Sequence, residues 1–312
     1  MKIVVCIKEV IDSGLNTGFG LVSESLVNKG LAFKLNPNDA EALIKALSIK
    51  EQMNNIPVEI ALISIGSEKV ERYLRNGLAV GADKAIRIQV ESPDELTPFQ
   101  TATLLSKAAA LAGADLIITG SMSIDTASGQ VGPLIAAMLD LSCVCAAVEL
   151  EPGDDGKDIS ISRNIGRGIR EKVWARMPAV ITVEGQGNNL SYASLDKVME
   201  SASAPVTILS PTDLGISTGD FAYTPVRATG LSFPRPRPMK VPTPDSALPA
   251  FYRILALLQG GISKREGKIL EGNSDELADR LYELLIEEGI IKPVNEQSSE
   301  TLKKHITSIV WK

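Results

Sequence analysis

Residues 115–140 read DLIITGSMSIDTASGQVGPLIAAMLD, and the order of features within them narrows the fold at once. The apolar run Leu116-Ile117-Ile118 reads as a buried strand that ends at Gly120. A loop of small and hydroxylated residues follows, and Gln130-Val131-Gly132-Pro133 opens a helix. Strand, small-residue loop and helix N-terminus are the parts from which α/β proteins build anion sites. Free backbone N–H groups and the positive end of the helix dipole face whatever sits in the loop. Ser121, Ser123, Thr126 and Ser128 add hydroxyls, and Asp125 is the only charge between Gly120 and Gln130. That pattern suits the phosphates and ribose of a nucleotide, although an ordinary β–α connection has a similar composition.

Outward from this segment, the first 185 residues alternate strands and helices. Residues 2–7 (KIVVCI), 58–65 (VEIALISI), 85–90 and 116–119 read as strands. Asn36 is placed to cap a helix, with Pro37 in its first turn, Asp39 suited to its dipole, and Leu43, Ile44 and Leu47 on its buried stripe. Residues 68–79 are helical until Gly81, 99–111 form an Ala-rich helix, and 130–139 form the next. Residues 144–151 and 159–163 read as an antiparallel hairpin-like addition, followed by Arg163, Arg167 and Arg170 and by the apolar strand 179–183. Alternation at this spacing implies an α/β fold with a doubly wound, mostly parallel sheet. Ligands of such sheets bind at the carboxyl ends of the strands, near a switch point. The loops at 7–10, 36–39, 65–67 and 120–130 all lie on that edge.

The pattern changes after residue 185. Residues 194–200 read as a short helix and 205–216 as extended chain. Residues 224–244, with Pro225, Pro234, Pro236, Pro238 and Pro242, have no helical period and read as an extended arm. Two helices follow, at 247–259 and from an Asn273 cap with Glu276 in capping-box position, the second with Leu277, Leu281, Leu284 and Leu285 on one stripe. The expected organisation is therefore a nucleotide-binding domain at 1–185, a loop and arm at 186–244, and a helical extension at 245–312.

Bulk properties exclude several classes of function. The 312 residues carry 32 basic and 38 acidic side chains, so a net charge of −6 gives no footing to a nucleic-acid role. The longest apolar runs are strand-sized, and Met1 leads directly into a strand, so a cytoplasmic protein without a signal peptide is expected. The single histidine, His305, lies in a polar tail. A histidine triad, a His-rich zinc site or a histidine base would have to rest on it. Cys143 and Cys145 are too close for the usual zinc spacing and read as small buried hydrophobes. With so few catalytic side chains, chemistry belongs to a bound cofactor.

Six segments, in this order, resemble the β subunit of electron transfer flavoproteins: VVCIKEVID at 4–12, NPNDAEALIKAL at 36–47, GLAVGAD at 77–83, the DLIITG…ID…GQVGP loop, MPAVITVE at 177–184 and SYASLDKVM at 191–199. The resemblance runs over residues 1–216. It implies a heterodimer with an α subunit, whose C-terminal domain holds the electron-transferring FAD against this chain. It also implies a nucleotide in this subunit, AMP in the simple members and a second FAD in the electron-bifurcating ones. The implied contacts fall at Cys6, Asn36, Pro37, Asn38, Asp39 and Ile65, with Asn36 to Asp39 and Ile65 holding adenine and ribose through main-chain groups. Gly120, Ser121, Met122, Ser123, Ile124, Asp125, Thr126, Ala127, Ser128, Gly129, Gln130, Val131 and Gly132 would take the remainder, phosphates above all. Tyr192, Leu195 and Met199 resemble a recognition loop that docks a flavin-dependent dehydrogenase, with Leu195 as anchor.

Gln130-Val131-Gly132-Pro133 looks like the bifurcating members, in which Gly132 would let the backbone approach a pyrophosphate. Ser121-Met122-Ser123 and Thr126-Ala127-Ser128 depart from them, lacking a basic residue before Ile124-Asp125 and a second Asp after it. FAD is favoured over AMP, with NADH as electron donor in the bifurcating case and an acyl-CoA dehydrogenase as partner. No side chain need act as acid, base or nucleophile. A stand-alone adenine-nucleotide sensor is the rival from another class, and an amidohydrolase lacks a nucleophile–base pair.

Overall fold

The computed structural model describes residues 1–12, 21–22, 25–26, 32–185, 187, 190–217, 244, 246–258, 272–287 and 289–290. They belong to two compact units, Met1–Ser232 and Phe233–Lys312. In the first unit the strands are β1 (Lys2–Cys6), β2 (Glu9–Ile11), β3 (Leu21–Val22), β4 (Ser25–Leu26), β5 (Phe33–Leu35), β6 (Glu59–Ile65), β7 (Lys84–Ile88), β8 (Leu116–Gly120), β9 (Ser142–Pro152), β10 (Asp158–Gly166), β11 (Ile169–Arg176), β12 (Ala179–Val183) and β13 (Thr207–Leu209). The helices are α1 (Pro37–Gln52), α2 (Glu71–Val80), α3 (Pro98–Ala112), α4 (Val131–Leu139) and α5 (Leu195–Ser203).

Nine strands form one sheet in the order β11-β10-β9-β12-β8-β1-β6-β7-β13. All neighbours from β9 to β13 pair parallel, while β10 pairs antiparallel with both β9 and β11. Alternate residues of each strand face opposite layers, as the two-residue repeat demands. Ile3, Val5, Leu62, Ile118 and Ile181 meet α1 and α2 through Leu43, Ala46, Ile49 and Leu74. Val4, Ile63, Ile117 and Val180 meet α3 and α4 through Leu104, Ala108 and Ile135. Strands buried on both faces are apolar at most positions, which explains the KIVVC, IALISI and LIIT runs, with Ser64 and Thr119 as buried polar positions near the strand ends.

The chain after β1 returns through α1 on one face, and the chain after β8 through α4 on the other. Adjacent strands β1 and β8 thus flank the switch point, where the connections diverge and leave a crevice at the strands' carboxyl ends.

Several local expectations are revised. The α1 stripe is Ala42, Leu43, Ala46 and Ile49, with Ile44 and Leu47 only partly buried, because the helix packs on small residues rather than on a leucine row. Two strands of the main sheet, and the short β2, β3, β4 and β5 outside it, are not among the strands read from the sequence. In β11 (IREKVWAR) only Ala175 is buried and Trp174 is 71% exposed, as befits the last strand of the sheet, and β13 is three residues long at the opposite edge. Cys143 is exposed and Cys145 half-buried, not core; they lie beside a bulge of β9 against β12, with their sulfurs 3.8 Å apart.

In the second unit the described helices are Ala250–Leu258 and Ser274–Glu287. Asn273 caps the latter as expected, its Oδ1 accepting the Glu276 N–H at 2.9 Å. Residues 224–243 of the arm, Gln259 and His305 lie outside the described residues. Among the described residues no helix is long and apolar enough to cross a membrane.

Gly77 shows how closely α2 sits on the sheet. A Cβ there would overlap Leu62 Cδ1. Gly-to-Ala inside a helix ordinarily gains up to about 1 kcal/mol, whereas overpacking costs about 1–3. Gly77→Ala is therefore expected to destabilise the protein on balance, and a raised urea midpoint in equilibrium unfolding would refute the packing account.

Candidate functional site

The first turn of α1 organises the carboxyl edge of the sheet. Asn36 occupies the N-cap position, yet its side chain makes no capping bond. It reaches instead into the loop after β8, donating from Nδ2 to Met122 O (3.1 Å) and accepting the Ile124 N–H on Oδ1 (3.2 Å). Asn38 does likewise. Its Nδ2 donates to Met122 O (2.7 Å) and Ser121 Oγ (3.2 Å), and its Oδ1 accepts the Gly185 N–H at 2.9 Å beyond β12. Asp39 accepts two backbone N–H groups, from Lys8 (2.8 Å) and from Gly120 (3.1 Å). Three side chains of one helical turn thus tie together the ends of β1, β8 and β12. Asn36 and Asp39 are buried, so an orphaned donor or acceptor among them would cost about 1–3 kcal/mol.

Burial also sets the protonation of this turn. It pushes the Asp39 carboxyl up to about 7, against the hydrogen bonds from Asn36, Lys8 and Gly120. Burial, and then the nearby Asp39 charge, pushes the Cys6 thiol up to about 12, so Cys6 is a neutral apolar wall. Farther out, Lys8 Nζ pairs with Asp125 Oδ2 at 2.7 Å across the mouth of the loop. Partial burial opposes ionisation of Asp125, but Lys8, Ser123 and the Thr126 N–H together hold its carboxyl below the usual range.

The loop itself is folded by short bonds, Asp125 accepting the Thr126 N–H (2.6 Å) and Ser123 O accepting the Ala127 N–H (2.9 Å). Ser123 and Thr126 share a hydrogen bond at 3.0 Å. Ala127 and Gly129 take positive φ, +48° and +61°, which turns the chain into α4. Gln130 gives α4 no side-chain cap. The N–H groups of Val131 and Gly132 lie in the first turn, where a helix offers them no internal acceptor, and their dipole faces the loop. Ser128 lies on the same stretch. Met122 and Ile124 stay 47% and 43% exposed, two apolar side chains beside a polar cradle. The donor set fits a nucleotide: amides and hydroxyls for phosphate, apolar side chains for a ring.

The structure brings most of the expected residues together. Cys6 pairs with Thr119 across β1 and β8, and Asn36, Asn38 and Asp39 contact the 120–124 segment directly. Ile65 ends β6 at the same edge, one strand beyond β1. Pro37 is exposed in the turn. Gly132 has a role the sequence reading did not assign. A Cβ on it would collide with Thr182 and come within 2.9 Å of Thr119 Oγ1, so close seating of α4 on β8 and β12 already requires glycine there.

The end of β12 was not anticipated as a wall of this site. Val183 O accepts the Ser121 N–H at 2.7 Å, and Gly185, seated against Asn38, carries the wall onward. A cavity of about 430 Å³ adjoins it, lined by Val148, Asn164, Arg167, Gly168, Arg170, Glu184 and Gly185. Arg170 of that lining is paired with Glu149, and Arg163, nearby in the same strand pair, with Glu171.

The docking candidates lie on and before α5. Ser194 caps the helix, and Tyr192, Leu195 and Met199 project into solvent, Leu195 being 73% exposed. The opposite side of α5 rests on α2, with Ser201 buried.

A doubly wound α/β unit whose loops gather at the switch point defines a class of ligand-binding fold rather than one activity. Sequence comparison narrows it. The electron transfer flavoprotein domain matches residues 25–214. The chain is 31% identical over 216 residues to electron transfer flavoprotein subunit beta of Bradyrhizobium diazoefficiens, covering 69% of this chain and 84% of that one. It is 28% identical over 220 residues to the human subunit beta, with the same coverage, and 27% identical over 275 residues to that of Methylophilus methylotrophus, covering 87% and 97%. The chain belongs to the electron transfer flavoprotein family, on the β-subunit side, and its business is flavin-linked electron transfer.

Asp39 provides a pH test. A carboxyl held near 7 in the fold and near 3.9 in the unfolded chain binds its proton more tightly when folded. Its stabilising contribution is complete below about pH 4 and is lost as pH rises through about 7. Asp39→Asn keeps one acceptor oxygen for two N–H groups and should cost about 1–3 kcal/mol at pH 5. That deficit should shrink toward pH 7.5 in denaturant titrations; a deficit that grows with pH would contradict the assignment.

Proposed function

We propose that this chain is the β subunit of a cytoplasmic heterodimer and shuttles electrons without transforming a substrate. It would brace the FAD of an α subunit, hold a nucleotide of its own at the switch point, and dock a flavin-dependent dehydrogenase, of the acyl-CoA class, through α5. The observation that carries this proposal is the loop after β8. It is tied to the first turn of α1 by Asn36, Asn38 and Asp39, and it leads into a helix start with no side-chain cap. Those asparagine and aspartate side chains are engaged within the protein, so Asn36, Pro37, Asn38, Asp39 and Ile65 would meet adenine and ribose through main-chain groups. Ser121 to Gln130, with the N–H groups of Val131 and Gly132, would take phosphate.

FAD is the occupant that the Gln130-Val131-Gly132-Pro133 sequence favours, and bound FAD supplies one- and two-electron chemistry at its ring. In that case the chemistry it would supply is acceptance of a hydride from NADH and division of the electron pair between two acceptors. A second reading, structural AMP without bifurcation, is favoured by the packing role of Gly132, since a glycine demanded by Thr182 is no mark of a pyrophosphate. Denaturing the purified heterodimer and quantifying released nucleotide separates them. Two flavins per heterodimer support bifurcation, and one flavin with one AMP removes it. Recovery of the chain as a flavin-free monomer that binds ATP would instead favour a nucleotide sensor.

Leu195→Ala truncates the most prominent aliphatic side chain of α5. It is expected to lower electron delivery from the dehydrogenase by roughly tenfold or more, the scale of a lost interface anchor, while flavin content is unchanged. Loss of flavin in that variant would place Leu195 in the fold rather than at an interface.

A further inference from the structure

The face of α5 that bears Leu195 and Met199 is exposed among the described residues, so its orientation depends on what holds the rear of the helix. Arg75 of α2 donates from Nη1 to Ala204 O (2.6 Å) and Ser201 O (3.3 Å), at the carbonyl end of α5. A guanidinium there gives the Ala204 carbonyl a donor, adds a second donor to Ser201 O, which already accepts the Ala204 N–H at 3.2 Å, and sits favourably at the negative end of the helix dipole. Arg75 is itself fixed. Its Nη2 donates to Glu71 Oε2 at 3.1 Å, and Glu71 Oε1 accepts from Arg87 Nε at 3.0 Å. Arg87 is 3% exposed and donates onward from Nη1 to Gly66 O (3.3 Å), just past Ile65. One carboxylate thus bridges two arginines by hydrogen bonds, and its charge offsets their mutual repulsion. The chain of contacts runs from the end of β6 to the last turn of α5. The strand after α5 is tied to the same place, Ile208 of β13 pairing with Arg87 of β7.

We propose that Arg75, held by Glu71 and the buried Arg87, is the positioning residue that sets the pose of the docking helix α5. It acts from behind the helix, through two carbonyls, and it need not touch the partner. The inference rests on α5 being the docking face. A planar, forked donor is required, because one group must serve two carbonyls and a carboxylate together; lysine offers a point charge and no fork.

The test uses the full heterodimer with an acyl-CoA dehydrogenase and its acyl-CoA substrate, and compares Arg75→Gln, Arg75→Lys and Leu195→Ala. Arg75→Gln should raise the KM for the dehydrogenase roughly tenfold, the equivalent of one lost charge-assisted hydrogen bond, with the loss in KM rather than kcat. Arg75→Lys should recover only part of it. Hydrogen exchange of the amides of residues 198–204 should quicken in both Arg75 variants and not in Leu195→Ala, and this readout needs no dehydrogenase. If Leu195→Ala raises KM while Arg75→Gln leaves KM and α5 exchange unchanged, Arg75 does not position the helix. If Leu195→Ala leaves KM unchanged, α5 is not the docking face and both assignments fall.

Discussion

Asp39 accepts backbone N–H groups from two chain segments at once, Lys8 beyond β1 and Gly120 at the end of β8. The ladder bonds of the sheet stop where its strands stop, and at the switch point the following segments leave for opposite faces. Nothing in the sheet itself fixes the loops past that edge. A short, buried, doubly accepting side chain does so, and it demands that residue 120 be glycine, since a Cβ there would lie on the Asp39 carboxyl oxygen. Asn36 and Asn38 extend the same tie to Ser121, Met122 and Ile124 of the loop and to Gly185 just past β12. Each bond contributes only about 1 kcal/mol net. Their collective effect is geometric: a loop of small residues is held in one shape and opens toward the start of α4.

How much of this was legible in the sequence depended on the physical signal involved. Parallel strands buried on both faces are apolar at most positions, so β1, β6, β8 and β12 stood out within a residue or two of their limits. Helix limits marked by Gly81 and Asn273 were equally plain. The edge strands β11 and β13 were not, because a strand with one partner and a solvated face can carry Arg, Glu and Lys without penalty. The loop after β8 is singled out by its small and hydroxylated residues, and the alternation of strands and helices places it on the carboxyl edge of the sheet. Asn36 was mistaken for an ordinary cap: its position is that of a cap, but its bonds are long-range and leave no mark in local sequence. Gly132 reads in the sequence as room for a ligand, and packing against Thr182 adds a second demand for glycine that local sequence does not show. Cys143 and Cys145 failed because hydrophobicity says nothing about which end of a strand lies at an edge.

Family membership gives this chain flavin-linked electron transfer. The polar groups at the switch point are arranged to fix backbone, and the one buried thiol is kept neutral. The outward features are of a different kind: apolar Leu195 and Met199 on a capped helix, with charged residues gathered behind it. On the proposed reading, recognition and cofactor retention would use separate residues of one compact unit, so that either could change in sequence without dismantling the other.

The order of residues in the α1 turn also bears on the chemical ageing of the protein. Asparagine deamidates when the amide nitrogen of the following residue attacks its side chain to close a succinimide. Asn36 is followed by Pro37, which has no N–H, and Asn38 by Asp39, whose N–H is engaged by Asn36 O at 3.0 Å. Both routes are blocked by the same turn that the asparagines serve. The tie at the edge of the sheet is therefore built from the amide side chains most prone to decay in loops, placed where their decay is slowest.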